Sequence, residues 1–171
     1  RGAAEGGDQG GLDQHGVFLK APEELADFKQ ASFDVITLWH VLEHIHNLDE
    51  VIRRFHNLLN EKGILVISVP NVDALDRGIY KEYWSSYDVP RHLYHCNKKT
   101  ISILMNRLGF QLESTYPMIF DSYYISLHSE WYMNSGKIRA VLKAIKNGFF
   151  SNWSARKTGN YSSLIYIFRK Q

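Results

Sequence analysis

Two stretches decide the fold of this 171-residue chain: Phe33-Asp-Val-Ile-Thr-Leu-Trp-His-Val-Leu-Glu-His-Ile45 and Gly63-Ile-Leu-Val-Ile-Ser-Val-Pro-Asn71. Each contains a short apolar run with β-branched residues, which is typical of a buried strand. Apolar residues recur at helical spacing between them, namely Leu48, Val51, Ile52, Phe55, Leu58 and Leu59. We expect Asn47 with Glu50 to cap this helix and Gly63 to end it. The pattern predicts two parallel strands joined by a helix.

Polar and aromatic side chains cluster where the first predicted strand ends. They are Trp39, His40, Glu43 and His44. In open α/β sheets, ligands bind beyond the carboxyl ends of the strands. We therefore expect a cofactor or a substrate to bind at this turn.

The second half of the chain carries clear start and stop signals. Asn97 can cap a helix that runs to Leu108, and Gly109 is suited to end it. Apolar runs predict further strands over 110–116 and 162–168. These elements extend the predicted α/β fold towards the C-terminus.

The composition predicts one main domain. With 44% hydrophobic residues, the chain can bury one sizeable core. Residues 1–16 hold six of the twelve glycines, so we expect a disordered segment or a remnant there, and one domain over 17–171. A short helix is expected after Pro22. We expect a cytoplasmic protein for three reasons. The chain has a single cysteine, Cys96; it has no apolar run long enough to span a membrane; and it shows no signal-peptide pattern.

Charge is distributed unevenly, although the net charge is only +2. Residues 131–171 contain eight Lys or Arg and no Asp or Glu, which suggests an anionic partner; a solvated basic face is the alternative. One helical face in this region is apolar, with Ile138, Val141, Leu142 and Ile145. The segment 137–153 then either makes peripheral contact with a membrane or packs its apolar stripe on the domain, and we favour packing.

The order of these motifs resembles that of class I S-adenosylmethionine-dependent methyltransferases. Residues 33–45 and 63–71 carry the resemblance in the first two strands. Residues 90–94, Pro-Arg-His-Leu-Tyr, and 108–110, Leu-Gly-Phe, are similar to the small-molecule subgroup related to ubiquinone-biosynthesis O-methyltransferases. The resemblance implies an α/β, Rossmann-like sheet with flanking helices.

The same resemblance implies that the sheet is incomplete at the N-terminus. The family's domain has seven strands, and this chain would hold the fourth to the seventh. The family's glycine-rich turn after its first strand and the acidic residue after its second have no counterpart here. We therefore expect the N-terminal cofactor-binding half to be absent, and a basic, aromatic helical insertion at about residues 120–160.

S-adenosylmethionine is the cofactor that the resemblance implies. Leu38 and Trp39 would lie near its methionine or adenine portion, with His40 alongside. Glu43 and His44 would shape the pocket, although a polar network that braces this turn is an equal alternative for them.

The aromatic segment between Asn71 and Asn97 predicts an ordered active-site loop. Methyl transfer needs alignment of donor and acceptor, and a base where the acceptor carries a proton. His92 is the first candidate base because the unperturbed pKa of histidine is near ~6.5; His95 is the second, and Arg91 is a candidate clamp for an anionic substrate, with ordinary loop structure as the alternative. Residues expected on the acceptor side are Asn71, Tyr83, Trp84 and Tyr87. We predict methyl transfer to a small-molecule or lipid-linked acceptor, with no metal.

Two other functions compete with this interpretation. His40-Val-Leu-Glu-His44 fits the H-x-x-E-H pattern of inverted zinc peptidases and suggests a zinc-dependent hydrolase. No third ligand is clearly indicated, and Glu61 and His92 are the only candidates we consider. A non-catalytic, membrane-associated binding module is suggested by the missing cofactor half and the basic C-terminal region. Nucleic acid is not the expected partner, because only the basic region favours it.

Overall fold

A computed structural model describes residues 28–171 of the chain. The expectations for residues 1–16 and for a helix after Pro22 lie outside these residues. The described chain forms a sheet of four strands, in the order β1-β2-β4-β3. Their bounds are Phe33–Trp39 for β1, Leu59–Pro70 for β2, Phe110–Pro117 for β3 and Ser163–Lys170 for β4.

The strand directions give a mixed sheet. β1 runs parallel to β2, whereas β4 runs antiparallel to both of its neighbours, β2 and β3. The predicted parallel pair and the α/β class are therefore confirmed. The outer edge of β1 pairs with no strand within 28–171.

Within residues 28–171, five α-helices and three short 3₁₀ turns connect these strands. The helices are α1 Leu48–Leu58, α2 Leu75–Tyr80, α3 Lys98–Arg107, α4 Asp121–Tyr132 and α5 Lys137–Thr158; the 3₁₀ turns are Leu42–His44, Lys81–Tyr83 and Ser85–Tyr87. None of the helices described is both long enough and apolar enough to cross a bilayer. Helix α2 and two of the 3₁₀ turns occupy the aromatic segment between Asn71 and Asn97.

The main core lies where α1 and α3 pack on the sheet. Leu65, Ile67 and Val69 alternate along β2 and are buried, because successive side chains of a strand point to opposite faces. They share one cluster with Ile52 of α1 and Met105 of α3. This buried layer holds the carboxyl ends of β1 and β2 in place.

The first helix ends earlier than the sequence predicts. Asn47 makes no side-chain cap, and α1 stops at Leu58, so Gly63 lies inside β2 and not at a helix end. The β1 and β2 register shifts here, from Phe33 opposite Leu59 to Val35 opposite Ile64. A Cβ at position 63 would lie 2.7 Å from the Leu59 Cβ, so this irregularity requires glycine.

The third helix begins and ends as the sequence predicts. The Asn97 side chain accepts from the Thr100 amide, and the Thr100 hydroxyl accepts from the Asn97 amide, which makes a capping box. Gly109 follows the helix with a φ of +85°, a conformation that glycine adopts without strain. Helix α3 is thus fixed by local signals at both ends.

Helices α4 and α5 form an insertion between β3 and β4. Packing of the apolar stripe of α5 on the domain is the favoured expectation, and the structure shows the opposite orientation. Its large apolar side chains are exposed, including Ile138, Leu142 and Ile145, and it buries a row of small residues instead: Ala140, Ala144, Gly148, Ser151 and Ala155. The reason is close approach to α4, since a Cβ on Gly148 would lie 2.6 Å from Cδ1 of Tyr123. The apolar stripe therefore does not pack on the described domain.

Candidate active site

A cleft of about 430 Å³ lies beyond the carboxyl ends of β1 and β2. Three regions form it: the turn after β1, the segment that contains two of the 3₁₀ turns, and one face of α4. The lining residues are His40, Glu43, His44, Pro70, Ser85, Ser86, Asp88, Arg91, His92, Asp121, Tyr124, Ile125, His128 and Tyr132. The sheet topology thus brings together residues that are far apart in sequence.

His40 lies between two carboxylates at the floor of this cleft. Its Nδ1 is 3.3 Å from Oε1 of Glu43, and its Nε2 is 3.1 Å from Oδ2 of Asp121. Its backbone has a φ of +52°, and its amide donates to the Ser68 carbonyl at the end of β2. The hydrogen bond to Asp121, followed by that to Glu43, raises the pKa of His40 to about 9. His40 is therefore a cation at neutral pH and donates from both ring nitrogens.

Glu43 connects the turn after β1 to the segment opposite. Its side chain is 1% exposed, and its backbone carbonyl accepts from the Leu93 amide at 2.8 Å. Oε1 is paired with His40, whereas the buried Oε2 has no hydrogen-bond partner within 28–171. One oxygen of this carboxylate is thus unused by the described protein.

His44 and His92 lie beside each other on the wall of the cleft. Their rings meet edge to face with centroids 4.7 Å apart. Nδ1 of His44 is 3.0 Å from the Arg91 carbonyl, and Nδ1 of His92 is 2.8 Å from the Ser86 carbonyl. A carbonyl only accepts, so each Nδ1 carries the proton and donates. In the neutral rings, each Nε2 then holds a lone pair.

Arg91 projects into solvent at the mouth of the cleft. Its Nη2 lies 2.7 Å from Oδ1 of Asp88, and this ion pair raises the pKa of Arg91. Asp88 also lies 3.8 Å from Nε2 of His92. Arg91 is therefore already paired, and an anionic substrate would have to compete with Asp88 for it.

One face of α4 also lines the cleft. Tyr124, His128 and Tyr132 follow at intervals of four residues, which places them on one helical face. The rings of Tyr124 and His128 lie 4.3 Å apart. The sequence reasoning missed this wall and Asp121, although the four-residue spacing of these rings is visible in the sequence.

Comparison with known proteins assigns the family. Residues 9–115, more than half of the chain, match the family model described as a methyltransferase domain. The chain belongs to this family. No curated protein matches the chain with significance.

Solved structures share the fold of this methyltransferase domain. A candidate sarcosine dimethylglycine methyltransferase from Galdieria sulphuraria is 14% identical, with a TM-score of 0.53, over 89% of this chain and 58% of that one. A SAM-dependent methyltransferase from Thermotoga maritima is 11% identical, with a TM-score of 0.52, over 84% of this chain and 59% of that one. One from Archaeoglobus fulgidus is 16% identical, with a TM-score of 0.51, over 93% and 73%. The chain spans a little under three fifths of the length of the first two.

The methyltransferase domain brings five of the predicted site residues into its cleft: His40, Glu43, His44, Arg91 and His92. Of the predicted cofactor residues, Leu38 is buried in the core and Trp39 is half exposed at the end of β1, outside the cleft lining. His95, the second candidate base, is also outside this lining, and its Nε2 is 2.9 Å from the Tyr87 carbonyl. The two candidate bases lie near each other, with ring centroids 6.4 Å apart, but only His92 lines the cleft.

None of the four predicted acceptor residues is among the residues that line the cleft. Asn71 is fully buried and donates to the Tyr161 carbonyl, while Trp84 is buried and donates to Asp76. Tyr87 packs edge to face on Trp84, and Tyr83 is partly exposed. The buried residues among them support the loop, because their polar atoms are already used within the protein.

The zinc-peptidase pattern does not lie on one helix. His40 follows β1 in a left-handed conformation, whereas His44 lies in the following 3₁₀ turn. The two rings are engaged separately, His40 with carboxylates and His44 with a carbonyl. Two ligands on one helical face, as in zinc peptidase motifs, are not formed here.

Proposed function

We propose that this domain takes part in methyl transfer from S-adenosylmethionine to a small-molecule or lipid-linked acceptor. The observation that carries the proposal is the place of the cleft, beyond the carboxyl ends of two parallel strands in a methyltransferase domain. The resemblance to the ubiquinone-biosynthesis subgroup stays a prediction.

The end of β1 fits a cofactor of this kind. Trp39 is 51% exposed there, so its ring offers an apolar surface to an adenine or a methionine chain. The left-handed turn at His40 leads the chain away from the end of the strand. When bound, the cofactor supplies a methyl group on a positively charged sulfur.

Different cleft residues would position the acceptor and take up its proton. His92 lines the cleft, and its Nε2 lone pair can accept a proton from an acceptor hydroxyl. Tyr124, His128 and Tyr132 provide an aromatic wall that aligns a planar acceptor. His40 is already protonated, so it serves as a fixed cation that holds Glu43 and Asp121 in place.

We predict that Trp39→Ala weakens the binding of S-adenosylhomocysteine about tenfold or more, because the lost ring contact contributes at least ~1.5 kcal/mol. The measurement uses a chain that also carries the N-terminal cofactor half that the resemblance implies. Isothermal titration calorimetry measures the affinity. Ile103→Ala, which truncates an exposed side chain on α3, is the control and should bind as the parent does. Equal affinity of the Trp39 variant and the parent would contradict this placement of the cofactor.

A second candidate role is peripheral contact with an anionic membrane, and the exposed face of α5 favours it. Phe149 and Trp153 extend the exposed apolar stripe towards the end of the helix. The helix also carries six Lys or Arg and no acidic residue. Apolar side chains beside basic ones complement a membrane with anionic headgroups, whereas two such faces from two copies would repel each other.

We predict that the chain sediments with vesicles of phosphatidylcholine and phosphatidylglycerol, and less with phosphatidylcholine alone. Replacing Ile145, Phe149 and Trp153 together by serine should lower the partition coefficient more than about tenfold, because three apolar side chains no longer insert. Val35→Ser with Ile103→Ser, exposed elsewhere, is the matched control. A dimer in solution that the triple variant disrupts, without vesicle binding, would argue for a second copy on this face.

A further inference from the structure

We propose that a pocket between the C-terminal halves of α1 and α3 binds the phosphate group of a small phosphorylated molecule. Its volume is about 340 Å³, which is within the range of sites for small molecules. Its lining residues are Arg53, His56, Asn57, Arg107, Leu108 and Gly109. The lining thus carries two guanidinium groups, one imidazole and one amide, and no Asp or Glu within 28–171 belongs to it.

This pocket lies at the edge of the sheet opposite to the cleft. Helix α1 leads directly into β2 at Leu59, and Gly109 comes just before β3. Because β2 and β3 both run antiparallel to β4, their amino ends lie at the same edge. The cleft lies at the other end of β2, and 12 residues at a rise of ~3.3 Å each separate the two ends by about 35 Å. The pocket is therefore separate from the site described above.

The polar side chains of the pocket are largely unused by the described protein. Those of Arg53 and Asn57 form no hydrogen bond or ion pair within 28–171. Arg107 uses only Nη2, which donates to both carboxylate oxygens of Asp49 at 2.7 Å. Its Nε and Nη1 have no partner in the same part of the chain. Both guanidinium groups can therefore donate to a ligand without breaking a contact that the fold already makes.

His56 supplies an independent observation. Its Nε2 is buried and has no hydrogen-bond partner within 28–171. The ring packs edge to face on Phe110, with centroids 5.3 Å apart, and it lies so close to Gly109 that a Cβ there would be 2.8 Å from Nε2. Packing thus holds the ring in one place while its nitrogen stays unsatisfied. A buried polar atom of this kind is normally paired, and an oxygen of a ligand in the pocket would pair it.

The donor set fits a phosphate group better than a carboxylate. A phosphate monoester offers three strong acceptor oxygens, enough for two guanidinium groups and the imidazole, whereas a carboxylate offers two. Guanidinium groups also match the geometry of phosphate oxygens and can bind them in pairs. Helices α1 and α3 both end here, and the negative ends of their dipoles oppose an anion. The full charges of Arg53 and Arg107 exceed these partial charges, so the site remains attractive to an anion.

The first experiment titrates inorganic phosphate into the chain at constant ionic strength. NMR spectra follow the ring signals of His56 and the amide signal of Gly109. We expect saturable shifts of both, with a dissociation constant of about 1 mM or lower, the range for a few charge-assisted hydrogen bonds offset by the cost of association. Unmoved signals of these two residues, or shifts that never saturate, would overturn the proposal.

Matched variants separate this pocket from general attraction to basic side chains. Arg53→Gln and Arg107→Gln should each weaken phosphate binding about tenfold, because each removes a charge-assisted donor. Both side chains are exposed, so the variants should fold, and thermal unfolding checks that they do. Arg54→Gln is the control: it removes the same charge one position along α1, from a side chain that pairs with Glu50 and does not line the pocket. Equal losses in Arg53→Gln and Arg54→Gln would indicate an adventitious ion only and would overturn the proposal.

Two further ligands identify what carries the phosphate. Glycerol 3-phosphate should bind more tightly than inorganic phosphate, because the pocket has room for the organic part of the molecule, and glycerol should not bind. Equal affinities of glycerol 3-phosphate and inorganic phosphate would contradict a phosphorylated molecule and identify free phosphate as the ligand. None of these measurements involves S-adenosylmethionine, so this proposal and the proposed methyl transfer fail separately.

Discussion

Trp84→Ala is expected to lower the free energy of unfolding by about 3–5 kcal/mol, the range for deleting a large aromatic side chain from a core. The indole is 1% exposed and belongs to a cluster with Tyr80 and Ile125, so its removal leaves a cavity between α2, α4 and the loop. It also removes the donor to Oδ2 of Asp76, at 3.0 Å.

Because Trp84 also donates to Asp76, its removal should lower the free energy of unfolding by more than the loss of packed volume alone would. Asp76 is fully buried and accepts from three side chains: Trp84, Ser151 of α5 and Ser162 just before β4. Burial raises the pKa of Asp76, and these hydrogen bonds oppose the rise. Without Trp84, one carboxylate oxygen loses its donor in a place that water does not reach.

Urea unfolding measures the loss, and two other variants separate its causes. Trp84→Phe keeps much of the volume but removes the donor, so we expect a smaller loss of about 1–3 kcal/mol. Trp153→Ala removes the same type of side chain at a position that is 54% exposed. It should change the free energy of unfolding by less than about 0.5 kcal/mol. Similar losses for Trp84→Ala and Trp153→Ala would contradict the buried role of Trp84.

The second large effect is a dependence of stability on pH that His40→Gln should remove. The pKa of His40 rises from 6.5 to about 9 in the folded chain because Asp121 and Glu43 accept from its ring. A raised folded pKa means that protonation favours the folded state. The contribution is therefore complete below pH 6.5, falls as the pH rises, and is lost as the pH passes through about 9.

Thermal unfolding at a series of pH values measures this effect. We expect the parent to lose more stability between pH 6.5 and pH 9 than His40→Gln does. Burial raises the pKa values of Cys96 and Tyr166, whose ordinary values are 9.0 and 10.0, so these groups affect stability mainly above this window. Solvent around the partly exposed ring reduces the size of the effect.

The two carboxylates can be ranked in the same experiment. Asp121→Asn should flatten the pH dependence more than Glu43→Gln does, because the hydrogen bond to Asp121 is the larger cause of the raised pKa. A parent curve as flat as that of His40→Gln would show that the ring is not held as a cation. The reverse ranking of the carboxylates would show that Glu43 is the main partner.

Several parts of the site were visible in the sequence, and others were not. The turn at 39–44 could be located because a polar cluster follows a strand of a parallel pair. The sequence predicts Trp84 and Asn71 on the acceptor side because aromatic and amide side chains suit binding, and the same properties also suit buried support. Sequence alone does not give the burial that separates these two uses.

The sequence by itself determined the elements whose causes are local. Alternation of buried residues fixes β2, the Asn97 and Thr100 side chains fix the start of α3, and Gly109 fixes its end. These interactions act within a few residues, so the pattern of residues is enough to predict them.

Only the tertiary structure decided the contacts that form the cleft and the orientation of α5. His40 and Asp121 are 81 residues apart, and they meet because the insertion returns α4 to the ends of β1 and β2. Periodicity shows that α5 has an apolar face, but it does not show which face of the helix is buried. The close distance between α4 and α5 decides which face of α5 is buried. Gly148 and its small neighbours allow α5 to pack against α4, so the bulky apolar side chains face outwards.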